Sequence, residues 1–276
     1  MNKNIEFLDM NAKKIRRAIL DVCYTSSAGH VGGSLSSTDI LNVLYNDVMN
    51  IDPNNPTFEM RDRFILSKGH IAESLFCTLS IRGYFPKEDL KSFSQFKSKY
   101  IGHPNNKISG VEMNTGALGH GLSIAVGMAI AAKQDKKPYY TYVLMGDGEL
   151  AEGSIWEAAM AASHYKLDNL ITIIDRNGLQ ISGTTEDIMS LEQLHDKWKS
   201  FGFYVINTNG HNYESLFCAF DEAKKVSEKP VVIIADTIKG KGVSFMENNA
   251  KWHHGVMNEN QYKQAICEVE GVDNDE

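Results

Sequence analysis

An aspartate held between two glycines, Gly146-Asp147-Gly148, ends the apolar run YYTYVLM and opens the acidic, small-residue stretch ELAEGSIWEA. At a strand end that hands over to a helix, such a carboxylate stands with almost no side chain beside it. A hard divalent cation takes oxygen ligands in near-octahedral geometry, and magnesium draws few of them from protein, filling the rest with phosphate and water. Thirty residues after Asp147 comes Asn177, one strand-helix-strand step further on. That step sets the Asn177 amide oxygen alongside the carboxylate, and a backbone carbonyl of the Gly178-Leu179-Gln180 turn can complete the protein share. Diphosphate oxygens supply the remaining ligands, held also by amides of glycine turns and by the positive end of the helix after GDGE. A lone GDG is usually just a turn. Its pairing with Asn177 and with further glycine loops is what makes it a site.

The elements that must position these groups follow from periodicity. Helical spacing of apolar residues runs through FLDMNAKKIRRAILDVCY and, with Ser37 as a cap, through TDILNVLYNDVM. Short β-rich runs then alternate with helical stretches: RFILS before a helix from about residue 70, YYTYVLMG before one from about 152, NLITIID before one from about 190, GFYVIN before one from about 213, and PVVIIAD before a long loop. This order predicts an α/β fold, a doubly wound and mostly parallel sheet with helices on both faces, in one domain over residues 1–276. Ligands of such sheets bind beyond the carboxyl ends of the strands. SKGH, GDGE, DRNGLQISG and DTIKGKG each follow a predicted strand and are expected on one rim. TGALGHGLSIAVGMAIAAK belongs beside them, a glycine-rich turn opening a helix of small and apolar residues that is expected to be buried.

The chain has 276 residues, enough for a well-buried core, with 42% apolar and 23% charged residues. Its longest apolar runs are too short to span a bilayer, and no basic start with a long apolar core lies near Met1, so neither a membrane segment nor a secretion signal is expected. A formal charge of −7 disfavours a general nucleic-acid surface. Cys23, Cys77, Cys218 and Cys267 form no CxxC pair and are expected as buried thiols in a reducing cytoplasm. The acidic end EGVDNDE is expected to fray.

The segment from Gly146 to Gly183 is similar to the thiamine diphosphate motif, which opens with GDG and closes with an asparagine about thirty residues on. SAGHVGGSLSSTDIL, RFILSKGH, GHP, TGALGHGLSIAVGMA and TIKGKGVSFMENNAKWHHG resemble successive blocks of transketolases, in the family's order, from about Ala18 to His254. The sequence departs from the usual pattern at DRN, where many relatives carry paired asparagines, and at His120, where glutamine is common.

The resemblance implies thiamine diphosphate with magnesium, or calcium or manganese in its place. Asp147, Asn177 and the carbonyl of Leu179 would bind the metal. Gly148 would lie against the diphosphate, with Gly146, Glu149 and Asn177 also among the cofactor contacts, and the turn Gly116-Ala117-Leu118 would touch the aminopyrimidine. Glu152 matches a glutamate of a carboxylate network between paired cofactor sites, while its position also suits a helix N-terminus. His30, His70, His103 and His253 fall in blocks that contact cofactor and sugar, and His70 and His253 are counted with the cofactor-binding residues. Histidine suits proton transfer around a ketose near neutral pH. Of His253 and His254, the ungapped match favours His253. His164, His195 and His211 have no such context and read as fillers. Lys239 and Lys241 fit phosphate neutralisation or a solvated turn equally well. Trp156, Trp198 and Trp252 read as packing residues.

In this family the glutamate that activates the cofactor lies on a second, pyrimidine-binding domain, which the matched region lacks. The resemblance therefore implies the N-terminal subunit of a split transketolase. Its expected partner is a C-terminal subunit carrying the missing domains, in an assembly with two copies of each chain. The amphipathic first helix and the Ala-rich helices suit the apolar contact this requires. The implied reaction moves a two-carbon ketol unit from a ketose to an aldose, with pentose phosphates as the default and sulfosugars or branched sugars open. A 2-oxoacid dehydrogenase α subunit or a deoxyxylulose phosphate synthase shares the metal motif but fits the histidine series less well. A non-catalytic cofactor-binding remnant is a further reading. A plain dinucleotide fold is disfavoured because no G-x-G-x-x-G opens the first helix of a βαβ unit.

Overall fold

A computed structural model describes residues 4–272; the last four residues of the acidic end expected to fray lie outside them. Two helices come first, α1 (Ile5–Ser26) and α2 (Val31–Val43). Strands and helices then alternate: β1 (Arg63–Leu66), α3 (Ala72–Arg82), α4 (Gly121–Gln134), β2 (Thr141–Gly146), α5 (Gly153–His164) and β3 (Leu170–Arg176). A small hairpin, β4 (Leu179–Gln180) with β5 (Gly183–Thr184), precedes the short α6 (Thr185–Ile188) and α7 (Leu194–Ser200). The chain closes with β6 (Tyr204–Asn209), α8 (Tyr213–Ala223), β7 (Val231–Asp236) and α9 (Glu259–Glu270).

Five strands form one parallel sheet in the order β1-β2-β3-β7-β6. Its central strands are apolar on both sides, as a sheet covered on both faces requires. Alternation sends Phe64, Leu66, Tyr142, Leu144, Ile171 and Ile173 to a core shared with helices such as α1, α2, α3 and α8. Their neighbours Ile65, Val143, Met145 and Ile174 pack on the opposite side, with α4, α5 and α7. The fold is thus the α/β sheet with helices on both faces that the alternating pattern predicts. Among the described residues no helix is long and apolar enough to cross a membrane.

Tertiary contacts override several local expectations. Ser37 is not a cap: α2 begins six residues earlier, and Ser37 is fully buried in mid-helix. The helix continues through it because the Ser36 and Ser37 hydroxyls point at a buried carboxylate, Asp175 Oδ2, at 2.6 and 2.8 Å. Helix α4 is buried on one face only, through Leu122, Ala125, Val126, Ala129 and Ala132, while Ser123, Gly127 and Ala131 are exposed. The helix expected from about residue 190 starts at Leu194, after the four-residue α6. Of the cysteines only Cys23 and Cys77 are buried; Cys218 is exposed and Cys267 half-buried, both on amphipathic helices.

Candidate active site

The turns after β1, β2, β3 and β7 meet at the carboxyl rim of the sheet. There they line a cavity of about 340 Å³ with Lys68 and His70, Gly146 to Glu149, Asn177 and Leu179 to Ser182, and Lys239. His30 enters from the start of α2, Gly116 and Leu118 from the turn before α4, and His253 from the short turn Ala250–His254.

Asp147 is 1% exposed, and its carboxylate is fixed by the turn that carries it. Oδ1 accepts from Gly148 N–H at 2.8 Å and Oδ2 from Gly178 N–H at 2.6 Å, which clamps the β2 turn to the β3 turn. Asn177 Oδ1 accepts from Leu179 N–H at 3.2 Å. The pair expected from the thirty-residue spacing therefore lies in one corner of one cavity. Burial, and then the Asp175 carboxylate, push the Asp147 carboxyl above its ordinary range. Arg176 adds a cation that the motifs did not assign, with Nη1 3.3 Å from Asp147 Oδ2 and Nη2 bonded to Glu186 and Glu192.

Glu149 is buried and works as a clasp. Its Oε1 accepts from Gly119 N–H at 2.9 Å and from the Ser67 hydroxyl, and its Oε2 from Gly146 N–H at 3.1 Å. The GAL turn, the β1 turn and the end of β2 are thereby held together. Beneath them, Lys68 Nζ meets Asp175 Oδ2 in a pair 3% and 0% exposed in the side chain. The Thr237 hydroxyl bonds the other carboxylate oxygen. Burial raises the Asp175 carboxyl, but Lys68 and the surrounding hydroxyls outweigh it and hold the group well below the carboxylate range. Neither Lys68 nor Asp175 stands out in the sequence; their position, one residue inside SKGH and two before Asn177, is the only signal that could have found them.

Four histidine rings crowd one wall. Ring centroids of His30 lie 4.9 Å from His70, 5.5 Å from His253 and 4.7 Å from His254, and His70 stacks on His253 at 5.3 Å. Burial first, then the neighbouring histidines and lysines, lower His30 to about 4, His70 to about 2 and His253 to about 3, so all three are neutral at pH 7. His253 Nδ1 is buried without a hydrogen-bond partner. His103 is exposed and lies outside the lining, yet packs on it: a methyl on Gly116 would sit 2.7 Å from its Cδ2. His254 is exposed beside His30. His120 is exposed, with Nδ1 3.0 Å from the Leu118 carbonyl.

Two residues sit apart from the cavity. Ala117 points outward from its turn, and Glu152 is exposed at the start of α5 without a capping bond from its side chain. Lys239 and Lys241, equivalent by sequence, are separated by the fold. Lys241 pairs with Glu247 at 3.2 Å near the surface. Lys239 is 2% exposed in the cavity, with Nζ 3.4 Å from the Leu179 carbonyl and no carboxylate at ion-pair distance among the described residues. Burial, then Lys68, lower it to about 8. His211 is a tie rather than a filler: Nδ1 meets Asp39 Oδ2 at 2.8 Å, and Nε2 accepts from Ile238 N–H at 2.8 Å, which orients the loop carrying Lys239.

These groups fit a metal-diphosphate ligand. Asp147, Asn177 and Leu179 offer three hard oxygens in one corner. A buried ammonium without a carboxylate and a buried ring nitrogen without a partner are the polar groups an anionic ligand would satisfy. Among the described residues no three His, Cys, Asp or Glu side chains gather as a metal cluster.

Residues 9–275 match the family described as "Transketolase, thiamine diphosphate binding domain". The chain is 51% identical to an apulose-4-phosphate transketolase subunit of Phocaeicola vulgatus, over 96% of this chain and 94% of that one. It is 43% identical to the 6-deoxy-6-sulfo-D-fructose transketolase subunit SqwG of a Clostridium species, over 95% and 96%. Among solved structures it is similar to the transketolase of Campylobacter jejuni, with a TM-score of 0.92 and 37% identity over 99% of this chain and 44% of that one. The chain thus spans less than half of the full-length enzyme.

Proposed function

Because the chain belongs to the transketolase family, as its thiamine diphosphate-binding N-terminal subunit, we propose that with a C-terminal partner subunit it transfers a two-carbon ketol unit from an anionic ketose to an aldose acceptor. The observation that carries this reading is the single cavity in which Asp147, Asn177 and the Leu179 carbonyl stand beside the buried Lys239 ammonium and the neutral histidine wall. Thiamine diphosphate supplies the carbanion chemistry of ketol transfer, and the protein supplies position, charge and protons.

Asp147, Asn177 and the Leu179 carbonyl would hold magnesium, and through it the diphosphate. Lys239 would add a fixed positive charge on the diphosphate side, and an arriving anion would restore the proton affinity that burial takes from it. Gly116 and Leu118 would face the pyrimidine end, with Glu149 fixing their turn. His30, His70 and His253, neutral in the free protein, would accept or share protons of the sugar hydroxyls and carbonyl, and His103 and His254 would flank the entrance. Glu152, exposed at the start of α5, is suited to meet a second copy of the assembly rather than the bound cofactor.

The names of two similar proteins support an anionic donor. One is named for a 4-phosphate and another for a 6-sulfo sugar, so an anionic tail is the shared feature. Apulose 4-phosphate is the first candidate, with 6-deoxy-6-sulfofructose and xylulose 5-phosphate beside it. The half-open apolar face of α4, with Ile124 and Met128, and the exposed Met160 of α5 support an assembly with two copies of each chain. The four free thiols are in keeping with the cytoplasm.

The test is reconstitution with the candidate partner chain, thiamine diphosphate and magnesium, followed by assays of the three donors with an aldose phosphate. The expected result is turnover of at least one donor by the pair and none by either chain alone. Tight cofactor binding by the pair with no donor consumed would favour the non-catalytic reading.

A further inference from the structure

His30 occupies the N-cap position of α2, where a side chain normally accepts the free first-turn N–H groups. Its imidazole makes no such bond and is directed instead at His70, His253 and His254. The main-chain N–H of His30 itself is held by a residue of another helix. Glu73, in the first turn of α3 and 0% exposed, places Oε1 2.5 Å from the His30 main-chain nitrogen and 2.9 Å from the Ser34 hydroxyl. The Cys23 thiol approaches the same oxygen at 3.9 Å, while Oε2 is buried without a partner.

The chain is shaped to allow this approach. Gly29, immediately before His30, has φ +125°, and a Cβ there would lie 2.7 Å from Cys23 Sγ and 3.2 Å from Glu73 Oε1. Only glycine admits both that conformation and that proximity. Glu73 also lies three residues after His70, on the turn of helix that His70 introduces. One carboxyl group thus sets the His30 backbone relative to the element carrying His70.

We infer that Glu73 is a positioning residue for His30: by holding the His30 main-chain N–H and the Ser34 hydroxyl from α3 it leaves the His30 ring free to face substrate at a fixed distance from His70. The inference rests on the reading of His30 as a substrate-facing group. Burial raises the Glu73 carboxyl above its ordinary range.

The experiment compares Glu73→Met, which keeps the length and removes the acceptor, with Glu73→Gln, which keeps one carbonyl oxygen. In the reconstituted complex Glu73→Met should lower kcat/KM for the ketose about 10- to 100-fold, the scale of a misplaced catalytic group. Cofactor affinity should stay within about twofold, and Glu73→Gln within about threefold of the parent throughout. In a His30→Ala background Glu73→Met should add nothing further, since the group it positions is gone. On the full chain without cofactor, the His30 ring signals in a nitrogen-proton correlation spectrum should move in Glu73→Met and stay in Glu73→Gln. If Glu73→Met does not fold, Glu73→Asp, which withdraws the oxygen by one methylene, should give the same pattern. Multiplying losses in the double variant, or unmoved His30 ring signals, would overturn the inference. Should the parent complex transfer no ketol unit, the functional reading fails, while the ring signals still decide the role of Glu73.

Discussion

Lys68 Nζ and Asp175 Oδ2 form an ion pair in which the two side chains are 3% and 0% exposed, directly beneath the cavity. The pair ties the turn after β1 to the end of β3, and the hydroxyls of Ser36, Ser37 and Thr237 tie α2 and the turn after β7 to the same carboxylate. Every loop bound this way carries a residue of the cavity wall or leads into one.

Lys68→Met should therefore cost about 3–5 kcal/mol, because it leaves a buried carboxylate with hydroxyls alone. Urea unfolding of the full chain measures it. A loss below about 1 kcal/mol would show that the hydroxyls suffice.

Glu149→Ala removes the acceptor for Gly119 N–H, Gly146 N–H and the Ser67 hydroxyl together. At about 1 kcal/mol or more for each donor left unpaired, a fall of roughly 3 kcal/mol in stability is expected. Cofactor affinity should fall with it as the Gly116–Leu118 turn loosens. Melting curves and cofactor titration on the same variant read both effects.

Asp147→Ala should weaken magnesium-dependent cofactor binding by more than about 100-fold while the far-ultraviolet dichroism of the sheet is unchanged. Lys239→Met should weaken it by about tenfold through loss of one charge-assisted contact. Calorimetric titration of the reconstituted complex separates the two, and unchanged affinity in Asp147→Ala would remove it from the metal's ligands.

His103→Ala should reduce kcat by about 100-fold with cofactor affinity nearly unchanged, because the ring lies outside the cavity lining and packs on Gly116. Equal losses in both would place it against the cofactor instead.

The half-buried histidines of the cavity wall set a pH dependence of stability. His30, His70 and His253 have ordinary values of 6.5 and are lowered in the fold to about 4, 2 and 3. Below about pH 6.5 the unfolded chain takes up protons that the folded chain refuses, so these groups make stability fall as pH drops from 6.5 toward 4. Above pH 7 both states are neutral and the contribution disappears. The melting temperature should drop between pH 7 and 5, and less steeply in His70→Asn. An identical slope in that variant would show that His70 is not neutral in the fold.

The strands of the main sheet, their parallel direction and the rim on which the glycine turns meet were legible in the sequence; their order in the sheet was not. Each legible feature rests on short apolar, β-rich runs and on the turn chemistry that bounds them, both written locally. Asp147 and Asn177 were legible for the same reason, since one strand-helix-strand step fixes their separation. Ser37 was not, because a hydroxyl that looks like a helix cap in isolation is mid-helix when a buried carboxylate from 138 residues away awaits it. Helix α4 reads as apolar all round, and only the placement of its neighbours shows which face they cover.

Local pattern determined the sheet, the glycine turns and the meeting of Asp147 with Asn177, because those depend on residues close in the chain. Tertiary structure alone decided which of two equivalent lysines is buried, which carboxyl holds the His30 main chain and which acid counterbalances Lys68. Those outcomes depend on desolvation and charge pairing between segments that meet only after the sheet has closed, and such energies leave no periodic trace in the order of residues.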